Sequence, residues 1–184
     1  MHIYYAALVL PPELDARILP MKQWMREQHG CKVGLKSPAH ITLLPPFWMN
    51  PSLEEDLRTD MNSFAATQPS LEICTSGFSA FRPRTLFIDV VADEALKALK
   101  SSCDNWFRPR DQYGIKIESR PFHPHITIAT RDLHKAAFAA AWAHFGQQSF
   151  HECWTATDIS ILKHNGQGWD VWHRVAFGSV DARR

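Results

Sequence analysis

Two near-identical tripeptides carry the residues best suited to chemistry. His40-Ile41-Thr42 lies in Pro38-Ala39-His40-Ile41-Thr42-Leu43, and His125-Ile126-Thr127 lies in Pro124-His125-Ile126-Thr127-Ile128. In a β-strand, side chains two residues apart share a face and stand roughly 6.6 Å apart along the chain. Each copy therefore sets an imidazole beside a hydroxyl and turns its isoleucine the other way. Together the pairs supply two proton carriers that titrate near neutral pH and two neutral hydrogen-bond donors. That set suits in-line displacement at a phosphodiester. One neutral imidazole takes a proton from water while the other, protonated, gives one to the leaving oxygen. The hydroxyls hold the non-bridging oxygens as charge builds. No metal or cofactor is called for, and a bell-shaped pH profile around neutrality is expected. Which histidine is acid and which is base is left open.

Chance is a poor explanation. Ten histidines and nine threonines in 184 residues give an expectation of about half a His-x-Thr triplet. Two copies with the same central residue and similar apolar flanks exceed that.

The elements that must hold the pairs follow from periodicity. Residues 2–10 (HIYYAALVL) read as a buried strand ended by Pro11-Pro12. Leu14, Ile18, Met21 and Met25 predict an amphipathic helix over 13–28, with Gly30 as its stop. The polar connection 31–37 carries Lys32 and Lys36, read as solvated. The first motif strand spans 39–47, and Pro45-Pro46 end it or confine it to a sheet edge. Of the aromatics that follow, Trp48 is assigned to the core, and Phe47 is a candidate for stacking on a base. Ser52 and Glu55 form a capping box for a helix to residue 66. Strands at 71–78 and 85–91 flank a turn carrying Arg82 and Arg84. Arg82 is a candidate substrate contact because loops beside a site often supply its binding groups.

Asp93 caps a helix to residue 107, and residues 115–117 suggest a short strand. The second motif strand spans 122–130, and Asp132 caps an alanine-rich helix that ends at Gly146. One or two strands over 150–162, a turn at 164–168 and a last strand over 169–177 complete the chain, with a loose tail after Val180. Each motif is thus followed by helix, strand, turn and strand. This is a duplicated unit, over about 38–92 and 121–178, within one bilobal α+β domain spanning 1–184. Packing about a pseudo-two-fold axis would bring the two His-x-Thr strands face to face across a groove.

Composition bounds the partners. With a net charge of +1 there is no strong field to recruit long nucleic acid, so a small or terminal substrate is expected. No stretch approaches a membrane span and no basic leader precedes the first apolar run. Cys31, Cys74, Cys103 and Cys153 are far apart in sequence, which reads as reduced thiols in the cytoplasm.

The two His-Ile-Thr motifs, the opening HIYYAALVLPPE and the PPF after the first motif resemble the 2H phosphoesterase superfamily, in its bacterial 2′-5′ RNA ligase-like (LigT-like) branch. The similarity of element order covers nearly the whole chain. It implies a bilobal fold of two antiparallel sheets with flanking helices around a central groove. It also implies metal-independent cleavage of cyclic phosphates or 2′-5′ links at RNA 3′ ends or in small cyclic nucleotides; a monomer is expected. His40 and His125 then take the acid–base roles, and Thr42 and Thr127 bind the phosphate. Arg131 follows the second motif one residue later than the arginine common in that family. Two rival readings remain: a nucleotide-binding module that lacks catalysis, and a metal hydrolase with zinc on His40, His123 and His125.

Overall fold

Strand β1 (His2–Val9) is ended by prolines, and helix α1 (Pro12–His29) begins at once with Pro12 in its first turn, where a missing N–H costs nothing. Leu14, Ile18 and Met25 of α1 are buried. Gly30 closes it in the left-handed region at φ 70°, its N–H donating to Arg26 O at 2.9 Å. The elements that follow are β2 (His40–Met49), α2 (Glu54–Ala66), β3 (Leu71–Phe81), β4 (Thr85–Val90) and α3 (Glu94–Phe107). Then come β5 (His125–Ala129), α4 (Lys135–Phe145), β6 (Cys153–Ala156), β7 (Asp158–His164) and β8 (Trp169–Ala176). The computed structural model describes residues 1–178, so the tail expected to be loose after Val180 lies outside the described residues.

The strands form two antiparallel four-stranded sheets, ordered β2-β1-β7-β8 and β5-β4-β3-β6. Each motif strand is an edge strand. Each pairs with the strand that precedes it across a helix: β1 and β2 flank α1, and β4 and β5 flank α3. This is the duplication in space. β3 and β4, after the first motif, join the sheet of β5, and β7 and β8, after the second, join that of β2, while β6 stays with β5, so the sheets are interlocked through the chain. The exchange extends to the helices, since α1 touches β5, α3 touches β2, and β2 and β5 touch each other. One core cluster runs through both lobes, and a smaller one of Tyr5, Ala7 and Leu162 lies on the opposite face of the first sheet.

Several expectations are corrected. The capping box does not form. Asn50 accepts from Ser52 N at 3.1 Å and starts a short 3-10 turn that leads into α2. Asp93 does cap α3, accepting from Leu96 N at 2.8 Å. Asp132 does not cap α4, which begins at Lys135 with His134 as its N-cap residue. Residues 115–117 pair with no strand, although Ile115 and Ile117 pack against the core. The second motif strand is shorter than expected, because Pro121 and Pro124 cannot donate to a ladder. Pro45-Pro46 do not end β2, which tolerates them because it is an edge strand.

The cysteine reading is overturned for one pair. Cys74 and Cys153 face each other in the β3–β6 ladder, with Cα atoms 4.2 Å apart, and are disulfide-bonded. They are 79 residues apart, so spacing gave no sign of it. The basis for reading a reduced compartment is removed. Cys31 and Cys103 are free and buried. Among the described residues no helix is long and apolar enough to cross a membrane.

Candidate active site

His40 and His125 are the first residues of β2 and β5, and each lies within two residues of a proline on its N-terminal side. The same short-range bond fixes both rings. His40 Nδ1 lies 2.7 Å from Pro38 O, and His125 Nδ1 lies 2.8 Å from His123 O. A carbonyl oxygen has no hydrogen to give, so Nδ1 carries the proton in both rings. Nε2 is left with its lone pair when the ring is neutral. Both imidazoles are half-buried against aromatic rings. Tyr5 lies 4.9 Å from His40, and Phe81 and Phe87 lie 5.1 Å and 5.0 Å from His125.

Burial sets the protonation of both. It pushes the His40 ring down to about 4. The Pro38 carbonyl opposes this, the positive charges of Lys22 and His125 add to it, and Asp15 opposes it. Burial also lowers His125, with the His123 carbonyl opposing. Lys22 is itself unusual, a lysine only 3% exposed on α1. Its Nζ donates to Ser37 O at 3.1 Å, while Asp15, two turns earlier on α1, accepts from Ala39 N at 2.7 Å. Together they brace the turn whose Pro38 carbonyl orients His40. Burial pushes the Lys22 ammonium down to about 8.

Two cavities flank the motif strands. A cavity of about 480 Å³ contains His125 and Thr42 in its lining. A smaller one of about 150 Å³ contains His40, Thr127 and again Thr42. Thr42 is thus common to both, and each histidine opens on a compartment reached by a threonine of the other motif strand. The four residues form one polar seam where the lobes meet.

Comparison with known proteins gives the family and the shared fold. A family model described as the 2′-5′ RNA ligase superfamily matches residues 10–168. The chain belongs to the 2′-5′ RNA ligase superfamily. A relative from Geobacillus thermodenitrificans (strain NG80-2), provisionally named a phosphoesterase, is 28% identical over 148 residues, covering 78% of this chain and 81% of its own. The fold is shared with the protein TT0787 of Thermus thermophilus, at TM-score 0.70 and 18% identity over 98% of this chain and 100% of that one. It is also shared with LigT of E. coli complexed with 3′-AMP, at TM-score 0.63 and 19% identity over 96% and 98%. LigT has also been solved with NADP+ and with ATP.

In this superfamily member Arg131 does reach the seam, despite its displaced position. The chain turns sharply after β5, with Leu133 N donating to Thr130 O at 3.0 Å and Arg131 in the left-handed region at φ 33°. A non-glycine residue there carries strain that its surroundings must hold. The holding contact comes from Asp132, whose Oδ2 accepts from Lys32 N at 2.6 Å and Val33 N at 2.9 Å. Arg131 is exposed and lines the smaller cavity with His40 and Thr127.

Phe47 and Arg82 do not line either cavity. Phe47 is 3% exposed and stacks on Tyr4 with ring centroids 5.9 Å apart, whereas Trp48, assigned to the core, is 59% exposed. The β1–β2 register slips twice by one residue, which restores parity. Phe47 and Met49 therefore share the inward face of Ile41 and Leu43. Counting by two from the motif would have shown it. Arg82 instead stacks over Trp142 and Phe138 of α4, at 4.9 Å and 5.3 Å.

Sequence reasoning missed Phe81, which is 42% exposed and walls the larger cavity. The available signal was Gly77, with φ 90°, inside β3. A glycine within a strand marks a bulge. Here the register shift beside it turns Phe78 inward and Phe81 outward. The zinc reading gains no ligand set. His123 Nε2 is turned to Asp89 Oδ1 at 2.9 Å, and no group of three or more His, Cys, Asp or Glu among the described residues is placed to hold a metal ion.

Proposed function

We propose that this superfamily member is a metal-independent phosphodiesterase that uses His40 and His125 as its proton carriers. Its substrates are RNA 3′ ends or small nucleotides. It opens a 2′,3′-cyclic phosphate to a 2′-phosphate, or cleaves or joins a 2′-5′ link. Thr42 and Thr127 hold the non-bridging oxygens, and Arg131 balances their charge. The observation that carries this reading is the matched pair of Nδ1 bonds, 2.7 Å and 2.8 Å, which leave two Nε2 atoms free to exchange protons at one seam. The nucleotides in the LigT complexes support the substrate class.

The test is a screen of EDTA-treated protein against nucleoside 2′,3′-cyclic phosphates and 2′-5′-linked dinucleotides, with the product phosphate located by phosphorus NMR. Turnover should persist without metal. His40→Ala and His125→Ala should each lower kcat by at least ~10². Wild-type activity in either variant on every active substrate would refute the two-histidine reading. Binding without turnover at any pH would make the protein a nucleotide-binding module instead.

A further inference from the structure

His40 and His125 are oriented by the same kind of bond, yet the two orienting carbonyls are held in different ways. The Pro38 carbonyl lies between two fastenings to α1, with Lys22 donating to Ser37 O and Asp15 accepting from Ala39 N. The connection into His125 lacks such flanks. Residues 115–124 form no strand, and Pro121 and Pro124 have no N–H to give. Among the described residues, His123 is the one member of this connection whose side chain hydrogen-bonds to another element; Arg120 bonds only to Glu118 within it.

His123 makes two bonds in opposite directions. Its Nε2 lies 2.9 Å from Asp89 Oδ1 on β4, and its carbonyl oxygen lies 2.8 Å from His125 Nδ1. A carboxylate accepts, so Nε2 of His123 is the donor. The same Asp89 oxygen accepts from Val90 N at 3.2 Å, which fixes the carboxylate. Asp89 is the residue directly opposite His125 in the β4–β5 ladder. The anchor therefore stands beside the ring whose orientation it governs. Phe81 and Phe87 pack on both imidazoles, at 5.1 Å and 5.5 Å from His123 and at 5.1 Å and 5.0 Å from His125. The Asp89 and His123 side chains are 32% and 49% exposed. An ion pair this open to water adds little to stability, so its consequence lies in what it holds in place.

We propose that Asp89 and His123 are positioning residues for His125, the carboxylate fixing the His123 side chain so that the His123 carbonyl keeps the proton of the neutral His125 ring on Nδ1. The effect on turnover rests on the phosphodiesterase reading above; the effect on the ring does not. Nε2 is the atom that exchanges protons in either role open to His125. Without the brace, residues 121–124 shift and the Nδ1 bond loosens. The neutral ring then also populates the tautomer with its proton on Nε2, which has no lone pair there to accept another.

The experiment reads the histidine ring nitrogens by NMR in protein labelled with nitrogen-15 histidine, at a pH where both rings are neutral. His40→Ala and His125→Ala assign the signals. Wild-type protein should show the Nδ1–H tautomer at both positions. In Asp89→Ala and in His123→Ala, the His125 signals should move toward a mixture of tautomers while those of His40 stay. Asp89→Asn, whose side-chain oxygen still accepts from His123, should keep the wild-type pattern. On a cyclic phosphate that the wild-type protein turns over, both alanine variants should lower kcat by roughly 10–100-fold with little change in KM, and Asp89→Asn should recover the loss.

Unchanged His125 signals in the alanine variants would overturn the brace. So would a kcat loss in Asp89→Asn equal to that in Asp89→Ala, because charge rather than position would then be at work. His123→Ala, at the more exposed position, keeps the test decisive if Asp89→Ala does not fold. The nitrogen measurement uses no substrate. Inert wild-type protein whose His125 signals respond as expected would overturn the phosphodiesterase reading and leave the brace standing.

Discussion

Lys22 donates a hydrogen bond to the carbonyl oxygen of Ser37 across 3.1 Å, from α1 to the turn that leads into His40. The positive charge of Lys22 helps hold the His40 ring below its ordinary value, so removing it should raise that value. As one of the two proposed proton carriers, His40 sets one limb of the kcat/KM profile with its pKa. Lys22→Met should therefore move that limb to higher pH. A limb that stays in place or moves down would show that Lys22 does not act on His40.

Both histidines titrate below the ordinary imidazole value in the free protein. The bell-shaped profile of kcat/KM should accordingly centre on the acid side of about pH 6.5, not around neutrality. The stability counterpart has a definite sign. His40 in the fold, at about 4, binds fewer protons than in the unfolded chain, so its contribution is present above about pH 6.5 and is lost as pH falls through 4. Urea midpoints should fall across that window, and His40→Gln should flatten the fall. Parallel slopes in the two proteins would contradict this.

Arg131 lines the smaller cavity together with His40, Thr42 and Thr127. Arg131→Ala should weaken binding of an anionic substrate by roughly 1.5–3 kcal/mol, read as a rise in KM, because a charged hydrogen-bond donor is lost. Unfolding should change little. Loss of stability with unchanged KM would make Arg131 a structural residue.

Gly34 packs directly on the backbone carbonyl of Ile128, where the two lobes meet, and a Cβ at position 34 would collide with that oxygen. Gly34→Ala should push the 33–36 turn away from β5 and cost about 1–3 kcal/mol of stability. Denaturant unfolding would measure it, and an unchanged midpoint would show that the turn yields freely.

The two neighbours on β2 separate packing from exposure. Phe47→Ala should destabilise the fold by about 3–5 kcal/mol, whereas Trp48→Ala should alter stability by less than about 0.5 kcal/mol. Thermal or urea unfolding of the two variants would decide it, and similar losses in both would contradict the alternation seen along the strand.

The sequence by itself determined what local periodicity and local bonding control. A two-residue repeat put each histidine beside its threonine, and Pro45-Pro46 confined β2 to an edge. Asp93 marked the start of α3, and the duplicated order of elements implied two facing motif strands. Tertiary structure decided what depends on residues distant in the chain. Asp132 looks like a helix cap, yet its carboxylate is taken up by the N–H groups of Lys32 and Val33, 100 and 99 residues away, and so holds Arg131 at the seam. Cys74 and Cys153 pair only because β3 and β6 do. Lys22 reads as one more polar residue of an amphipathic helix until α1 buries it beneath the turn into His40. The two cavities beside the motif strands are each lined by residues of both strands and so exist only where the lobes meet. Such contacts join surfaces whose residues carry no mutual signal in the chain, because side-chain periodicity reports which face is buried and not what buries it.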